Sequence, residues 1–131
     1  MDDMTSKIRS VAASNILVGR WIAMYNGHFL FRDNNSVPTP ESFIAKDVAI
    51  NWMENELERV GIFKDHGIDR YRMVCKITDD NGEEAYLDFE ANVREIRVRW
   101  ALVKVTDENV KDMKKMYFLE AKKRLARWPV A

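Results

Sequence analysis

The 131-residue chain has the length and composition of one globular domain, residues 1–131, with no room for a second. Hydrophobic residues make up 47% of it and charged residues 32%, which excludes a disordered chain. The 21 basic and 21 acidic side chains cancel, so no overall field draws the protein to a polyanion. Cys75 is the single cysteine, the first residues are acidic and long apolar runs are absent. We therefore expect a cytoplasmic protein without a disulfide or a membrane segment.

The first predicted elements are an arm or short helix within residues 1–15 and a hairpin over residues 16–32. In the hairpin, two runs of strand-forming residues flank Asn26-Gly27, the dipeptide best suited to a type I′ turn. This turn predicts a register with the following pairs: Tyr25 with His28, Met24 with Phe29, Ala23 with Leu30, Ile22 with Phe31, and Trp21 with Arg32. Both faces of the hairpin are then apolar, so either both are buried in the fold or one contacts a partner.

A helix is predicted from residue 39 to residue 60. Thr39 can cap it, Pro40 suits its first position, and Gly61 can end it in the left-handed conformation, with Ile62 folded back onto Leu57. Its apolar residues span more than the usual width of an amphipathic helix, which predicts burial around much of its circumference. These residues are Phe43, Ile44, Val48, Ile50, Trp52, Met53, Leu57 and Val60.

Three further strands are predicted to form a meander: residues 70–77, 84–91 and 94–105. Between the first two, a two-residue turn would mix core and solvent faces, so we predict a three-residue turn with Gly82 as the bulge residue. That turn gives these pairs: Cys75 with Leu87, Met73 with Phe89, and Arg72 with Glu90. The third strand places Ile96, Val98, Trp100 and Leu102 on the core face, opposite the second strand.

The last predicted element is a helix that Thr106 and two acids begin and Pro129 ends. Its core positions recur at helical spacing: Val110, Met113, Tyr117, Ala121, Leu125 and Trp128. Together these elements predict an α+β fold. An antiparallel sheet, made of the N-terminal hairpin and the three-stranded meander, is packed by two helices in a two-layer sandwich.

Two surfaces are candidates for binding. The second apolar face of the hairpin is a candidate protein interface, since tryptophan, tyrosine and arginine dominate interface energetics; its residues are Trp21, Tyr25, Leu30 and Arg32. The second candidate combines basic residues with one tyrosine, a set that can hold phosphates and stack a base: Arg72, Tyr86, Arg97, Arg99, Lys115 and Lys122. Acidic residues lie among the sheet arginines and helix dipoles favour C-terminal lysines, so we favour ordinary solvated charge for this set.

We find no catalytic, cofactor or metal motif. His66 lies between Asp65 and Asp69, but a metal site needs three or four ligands, so we interpret it as a loop histidine. Cys75 alternates with core residues, and no glycine-rich phosphate loop is present. The sequence favours a small non-catalytic accessory or inhibitor protein, of the kind that phages and other viruses encode, that binds another protein or a second copy of itself. The alternatives are a nucleic-acid-binding module and an enzyme of unknown class.

Overall fold

The computed structural model describes residues 3–32, 37–61, 76–78, 84–86 and 100–127. Within these ranges the elements are α1 (Asp3–Asn15), β1 (Trp21–Tyr25), β2 (His28–Phe29), β3 (Phe31–Arg32), β4 (Thr39–Pro40), β5 (Ser42–Phe43), α2 (Lys46–Arg59), β6 (Lys76–Thr78), β7 (Glu84–Tyr86), β8 (Trp100–Lys104) and α3 (Val110–Arg127). A mainly antiparallel sheet packs on the helices, so the predicted α+β fold is confirmed.

The main sheet has the strand order β2-β1-β8-β6-β7, and β5 pairs with β1 alongside β2. β1 pairs antiparallel with β8 along its whole length, from Trp21 opposite Lys104 to Tyr25 opposite Trp100. The predicted meander order is therefore wrong, because β6 and not β7 is the neighbour of β8, and β6 runs parallel to β8. A parallel neighbour requires a crossover of about a dozen residues or more, and the chain between β6 and β8 is long enough for one.

The hairpin formed by β6 and β7 has the register that the three-residue turn predicts. Its described pairs are Lys76 with Tyr86, Ile77 with Ala85, and Thr78 with Glu84. The predicted pairs farther from the turn, between residues 72–75 and 87–90, lie outside the described residues, as does Gly82.

The N-terminal hairpin follows its predicted register only close to the turn. Tyr25 pairs with His28 and Met24 with Phe29, and the turn residues Asn26 and Gly27 have φ values of 53° and 79°. Beyond Leu30 the predicted pairs are wrong. β5 takes the place beside β1, with Trp21 opposite Phe43 and Ile22 opposite Ser42, while β3 pairs with β4 in a separate two-stranded sheet.

Backbone hydrogen bonds show why the hairpin opens at Leu30. The Leu30 N–H donates to the Ala23 carbonyl at 3.2 Å, whereas the Leu30 carbonyl accepts from the Glu41 N–H at 2.9 Å. The Glu41 carbonyl in turn accepts from the Ala23 N–H at 3.0 Å. The returning chain therefore satisfies the backbone N–H and carbonyl groups that a longer hairpin would have paired.

Helices cover both faces of β1, which corrects the predicted two-layer packing to three layers. On one face Trp21 and Ala23 pack with α2 in this buried cluster: Trp21, Ala23, Phe43, Ala49, Met53, Leu57, Trp100 and Leu102. On the other face Ile22 and Met24 pack with α1 and α3 in a second cluster: Ile8, Ala12, Ile16, Ile22, Met24, Phe29, Val37, Val105, Met113, Tyr117 and Ala121. Because both faces of β1 are apolar, each requires its own cover.

The arm or helix expected within residues 1–15 is a helix, α1. It packs against the sheet and α3 through Ile8 and Ala12, which are 1% and 7% exposed. The Ser42 hydroxyl donates to the carbonyl of Asn15 at 2.7 Å, which joins the end of α1 to β5.

α2 begins later than predicted, at Lys46, because Thr39 and Pro40 form β4 and Ala45 is extended with φ −142° and ψ 151°. Proline is tolerated on an edge strand, and burial of Pro40 in the fold outweighs its local preference for a helix start. The predicted end is confirmed, since Gly61 is left-handed with φ 82°. Ile62 lies outside the described residues. The predicted burial around the circumference is wrong, because Val48 is 47% exposed.

α3 has the core stripe that its spacing predicts. Met113, Tyr117 and Ala121 are buried, whereas Trp128 lies outside the described residues. Thr106 caps the turn before the helix: its hydroxyl accepts from the Asn109 N–H at 3.2 Å, and Asn109 Oδ1 accepts from the Thr106 N–H at 2.8 Å. This reciprocal pair has the form of a capping box.

Candidate binding surfaces

The four residues predicted as a protein interface are divided between the core and a cleft. Trp21 is 2% exposed and therefore belongs to the core of the isolated chain. Tyr25 is partly buried, with its ring edge-on to Trp100 at a centroid distance of 5.0 Å. Leu30 and Arg32 line a cleft beside α2. The hairpin therefore presents no free apolar face, because α2 covers the face that contains Trp21 and Ala23.

The cleft that contains Leu30 and Arg32 has a volume of about 400 Å³ and this lining: Leu30, Phe31, Arg32, Glu41, Trp52, Glu56 and Arg59. Arg32 Nε donates to Glu41 Oε1 at 2.5 Å, and Arg32 Nη2 donates to the Ser42 carbonyl at 2.9 Å. On the α2 side of the lining Glu56 accepts from Arg59, and this hydrogen bond raises the pKa of the Arg59 guanidinium. Two ion pairs thus border the cleft, and Trp52 of α2 forms part of its lining.

Beside this cleft, the outer side of α2 presents aliphatic side chains to solvent. Ile44, in the bend before the helix, is 74% exposed, and Val48 in the first turn is 47% exposed. Trp52 follows one turn after Val48 and packs on Phe43 at a ring distance of 5.4 Å. We call Ile44, Val48 and Trp52 the α2 surface. The sequence signal for it is the excess apolar width of this helix, which we interpreted as core.

A second surface lies between α1 and α3, on the opposite side of the sheet. It is a groove of about 350 Å³ with this lining: Arg9, Ala12, Ala13, Lys114, Lys115 and Phe118. The Phe118 ring lies close to two cationic groups. The Arg9 guanidinium carbon lies 5.5 Å from its centroid and Lys122 Nζ lies 5.3 Å from it, both within cation–π range. We call this surface the cationic groove.

Lysines are concentrated on one flank of α3. Helical spacing places four lysines on the flank that also contains Phe118: Lys111, Lys114, Lys115 and Lys122. Glu120 lies on a different flank, where Oε1 accepts a hydrogen bond from the Phe29 N–H at 3.0 Å. Lys115 and Lys122 are among the residues that the sequence predicts for nucleic-acid contact, whereas Arg9 and Phe118 are not, because only the packing of α1 against α3 brings them together.

The remaining nucleic-acid candidates do not join this groove within the described residues. Arg72, Arg97 and Arg99 lie outside the described ranges. Tyr86 is in β7 at the end of the strand order, with its side chain outside the described part. Lys115 and Lys122 are both exposed on α3.

The enzyme alternative rests on His66 and its neighbouring acids, which lie outside the described residues, as does Cys75, which the strand pattern places in the core. Among the described side chains, no three histidine, cysteine, aspartate or glutamate residues are grouped so that they could hold a metal ion. None of the described helices combines the length and the apolar character needed to cross a bilayer. Comparisons with protein-family models, curated proteins and solved structures found no match.

Proposed function

We propose that this domain acts by binding another protein through the α2 surface and the adjoining cleft. The observation that supports the proposal is the exposure of Ile44 (74%) and Val48 (47%) beside partly buried Trp52. Each buried square ångström of apolar surface is worth about 25 cal/mol, so a partner that covers these side chains gains hydrophobic free energy. Exposed apolar groups clustered beside polar ones are typical of interaction sites.

The surroundings of the α2 surface suit an interface with an apolar centre and a polar rim. The Arg32–Glu41 and Glu56–Arg59 pairs lie along the cleft. There each charged group can give up part of its contact with the other member of its pair and bind a polar group of the partner. Along α2, Trp52 is one turn from Val48 and one turn from Glu56, and tryptophan is enriched among residues that dominate binding energy. This arrangement keeps Leu30 and Arg32 of the predicted interface and replaces Trp21 by Trp52.

The experiment is site-specific photo-crosslinking in cell extract, with the photoreactive residue at position 48 or, as a control, at position 18. Val18 is 54% exposed, lies in the connection between α1 and β1, and is part of neither the α2 surface nor the cleft. We expect a discrete crosslinked protein from position 48 that is absent from position 18. The crosslink should disappear when Ile44→Asp is added and persist when Val18→Asp is added instead. Equal products from both positions, or a product indifferent to Ile44→Asp, would contradict the proposal.

Light scattering after gel filtration separates the two kinds of partner. If the α2 surface binds a second copy of the chain, the purified protein is a dimer that Val48→Asp converts to a monomer. If the partner is a different protein, the purified chain and the Val48→Asp variant have the same monomeric mass. All three aspartate variants, at positions 18, 44 and 48, change exposed residues, so we expect little effect on folding.

A further inference from the structure

The proposed protein-binding site does not account for the charge of the cationic groove between α1 and α3. Its lining contains three cations, Arg9, Lys114 and Lys115, and no carboxylate among the described residues that form it. Lys111 and Lys122 extend the same flank of α3 at each end. In a chain whose formal net charge is zero, this concentration of one sign is a local feature.

We propose that the cationic groove binds single-stranded nucleic acid. From Lys111 to Lys122 the flank rises about 16 Å, at 1.5 Å per residue. A strand of B-form DNA has a phosphate about every 3.4 Å and an extended single strand has them farther apart, so the lysine flank is long enough to contact at least two successive phosphates. Proteins that bind single strands without sequence preference combine a positive groove with an aromatic side chain, and Phe118 provides the aromatic group here.

Phe118 also orders the charges around it. Cation–π contacts hold the Arg9 guanidinium and the Lys122 ammonium near the ring, from α1 and α3 respectively. Side chains that are already ordered lose less conformational entropy when they bind a ligand. The small residues Ala12 and Ala13 keep the floor of the groove open between the helices.

The shape of the groove favours one strand over a duplex. Packed helices have axes about 8–10 Å apart, so the depression between α1 and α3 admits an extended chain and not a double helix. A flexible strand can also place a base against the exposed part of Phe118, which the stacked bases of a duplex cannot do. The groove lies across the sheet from the α2 surface, so this proposal is independent of the protein-binding one.

The test is fluorescence anisotropy with a labelled oligothymidylate and with a duplex of the same length, from 50 to 200 mM salt. We expect tighter binding of the single strand, and a logarithmic salt slope near −0.7 for each phosphate contacted. Lys115→Glu with Lys122→Glu should weaken binding by about tenfold or more and make the slope shallower by about 1.4. The matched control is Lys46→Glu with Lys123→Glu, which changes the net charge equally at exposed or partly exposed positions outside the groove and should have a smaller effect.

Phe118→Leu separates ring contact from charge. It keeps all the cations, so we expect affinity to fall about tenfold while the salt slope is unchanged. Thermal unfolding of each variant shows that the fold is retained. The proposal is overturned by absence of binding at 50 mM salt, by equal losses in the groove and control variants, or by equal affinity for the duplex. Polyglutamate binding as tight as the oligonucleotide, with no effect of Phe118→Leu, would also overturn it and assign the groove to an acidic protein.

Discussion

The hydroxyl of Tyr117 donates a hydrogen bond to the carbonyl oxygen of Pro38 at 2.5 Å, across 79 positions of sequence. Tyr117 lies in the middle of α3 and is fully buried, and Pro38 immediately precedes β4. Its ring also contacts Phe29 edge-on, with the centroids 5.9 Å apart. One side chain therefore joins α3 to both the N-terminal hairpin and the small β3–β4 sheet, and it fills the core below the cationic groove.

Replacing Tyr117 by Phe should destabilise the protein by about 1–2 kcal/mol. The ring and its packing remain, but the buried Pro38 carbonyl loses its donor and keeps its desolvation cost. Urea unfolding monitored by circular dichroism measures the change. A loss below about 0.3 kcal/mol would mean that water replaces the hydroxyl, contrary to the buried environment seen here.

The same residue should limit stability at alkaline pH. Burial raises the pKa of the Tyr117 hydroxyl above its ordinary value of 10.0. The unfolded chain therefore releases this proton at a lower pH than the folded chain does, and the contribution to stability is complete below pH 10 and declines above it.

To isolate this effect, the free energies of unfolding of the wild type and Tyr117→Phe are compared from pH 8 to pH 11.5. Phenylalanine has no proton to release, so the difference between the two proteins should be constant at first and then shrink above about pH 10. Titration of other residues affects both proteins alike. A difference independent of pH would show that Tyr117 ionises equally in both states.

Glu120 should stabilise the N-terminal hairpin. Its carboxylate accepts from the Phe29 N–H at 3.0 Å and lies 3.7 Å from His28 Nδ1. Glu120→Ala removes the acceptor of a part-buried N–H and should cost about 1–2 kcal/mol. Glu120→Gln retains an acceptor oxygen and should cost less than half of that.

Amide hydrogen exchange locates the effect of Glu120. Protection of the Phe29 amide should fall in Glu120→Ala by more than global destabilisation explains, while the amides of α2 follow the global change. Since His28 has an exposed side chain, its 3.7 Å contact with Glu120 contributes little by comparison. Equal loss of protection throughout the chain would contradict a local role.

Local patterns predicted the elements whose partners lie nearby in sequence. Asn26-Gly27 was sufficient for the turn and its first two pairs, and Gly61 for the end of α2. The register of the β6–β7 hairpin followed from keeping apolar residues on one face. Each of these depends on dihedral preferences or alternation within about ten residues.

Pairings between distant segments could not be predicted in this way. The insertion of β5 beside β1 and the parallel pairing of β6 with β8 depend on competition among strands for the same edges. Thr39-Pro40 has the local chemistry of a helix start, yet tertiary burial makes it a strand. The binding surfaces have the same origin, because an apolar excess on α2 becomes surface only once the sheet covers its other side.

Trp21 has a residue type that is typical of interfaces, yet it lies in the core. It is 2% exposed, packs with α2, and lies beneath Lys104 Nζ at 6.0 Å from the ring centroid. Trp21→Ala should destabilise the domain by about 3–5 kcal/mol, through lost burial and an unfilled cavity. Trp21→Phe refills most of that space and should recover more than half of the loss. Urea unfolding of the two variants gives both values. The loss expected for Trp21→Ala approaches the total stability of many domains, so any binding that this variant loses reports unfolding. If Trp21→Ala lowers the free energy of unfolding by less than about 1 kcal/mol, Trp21 lies at the surface and the sequence-based assignment to an interface is supported.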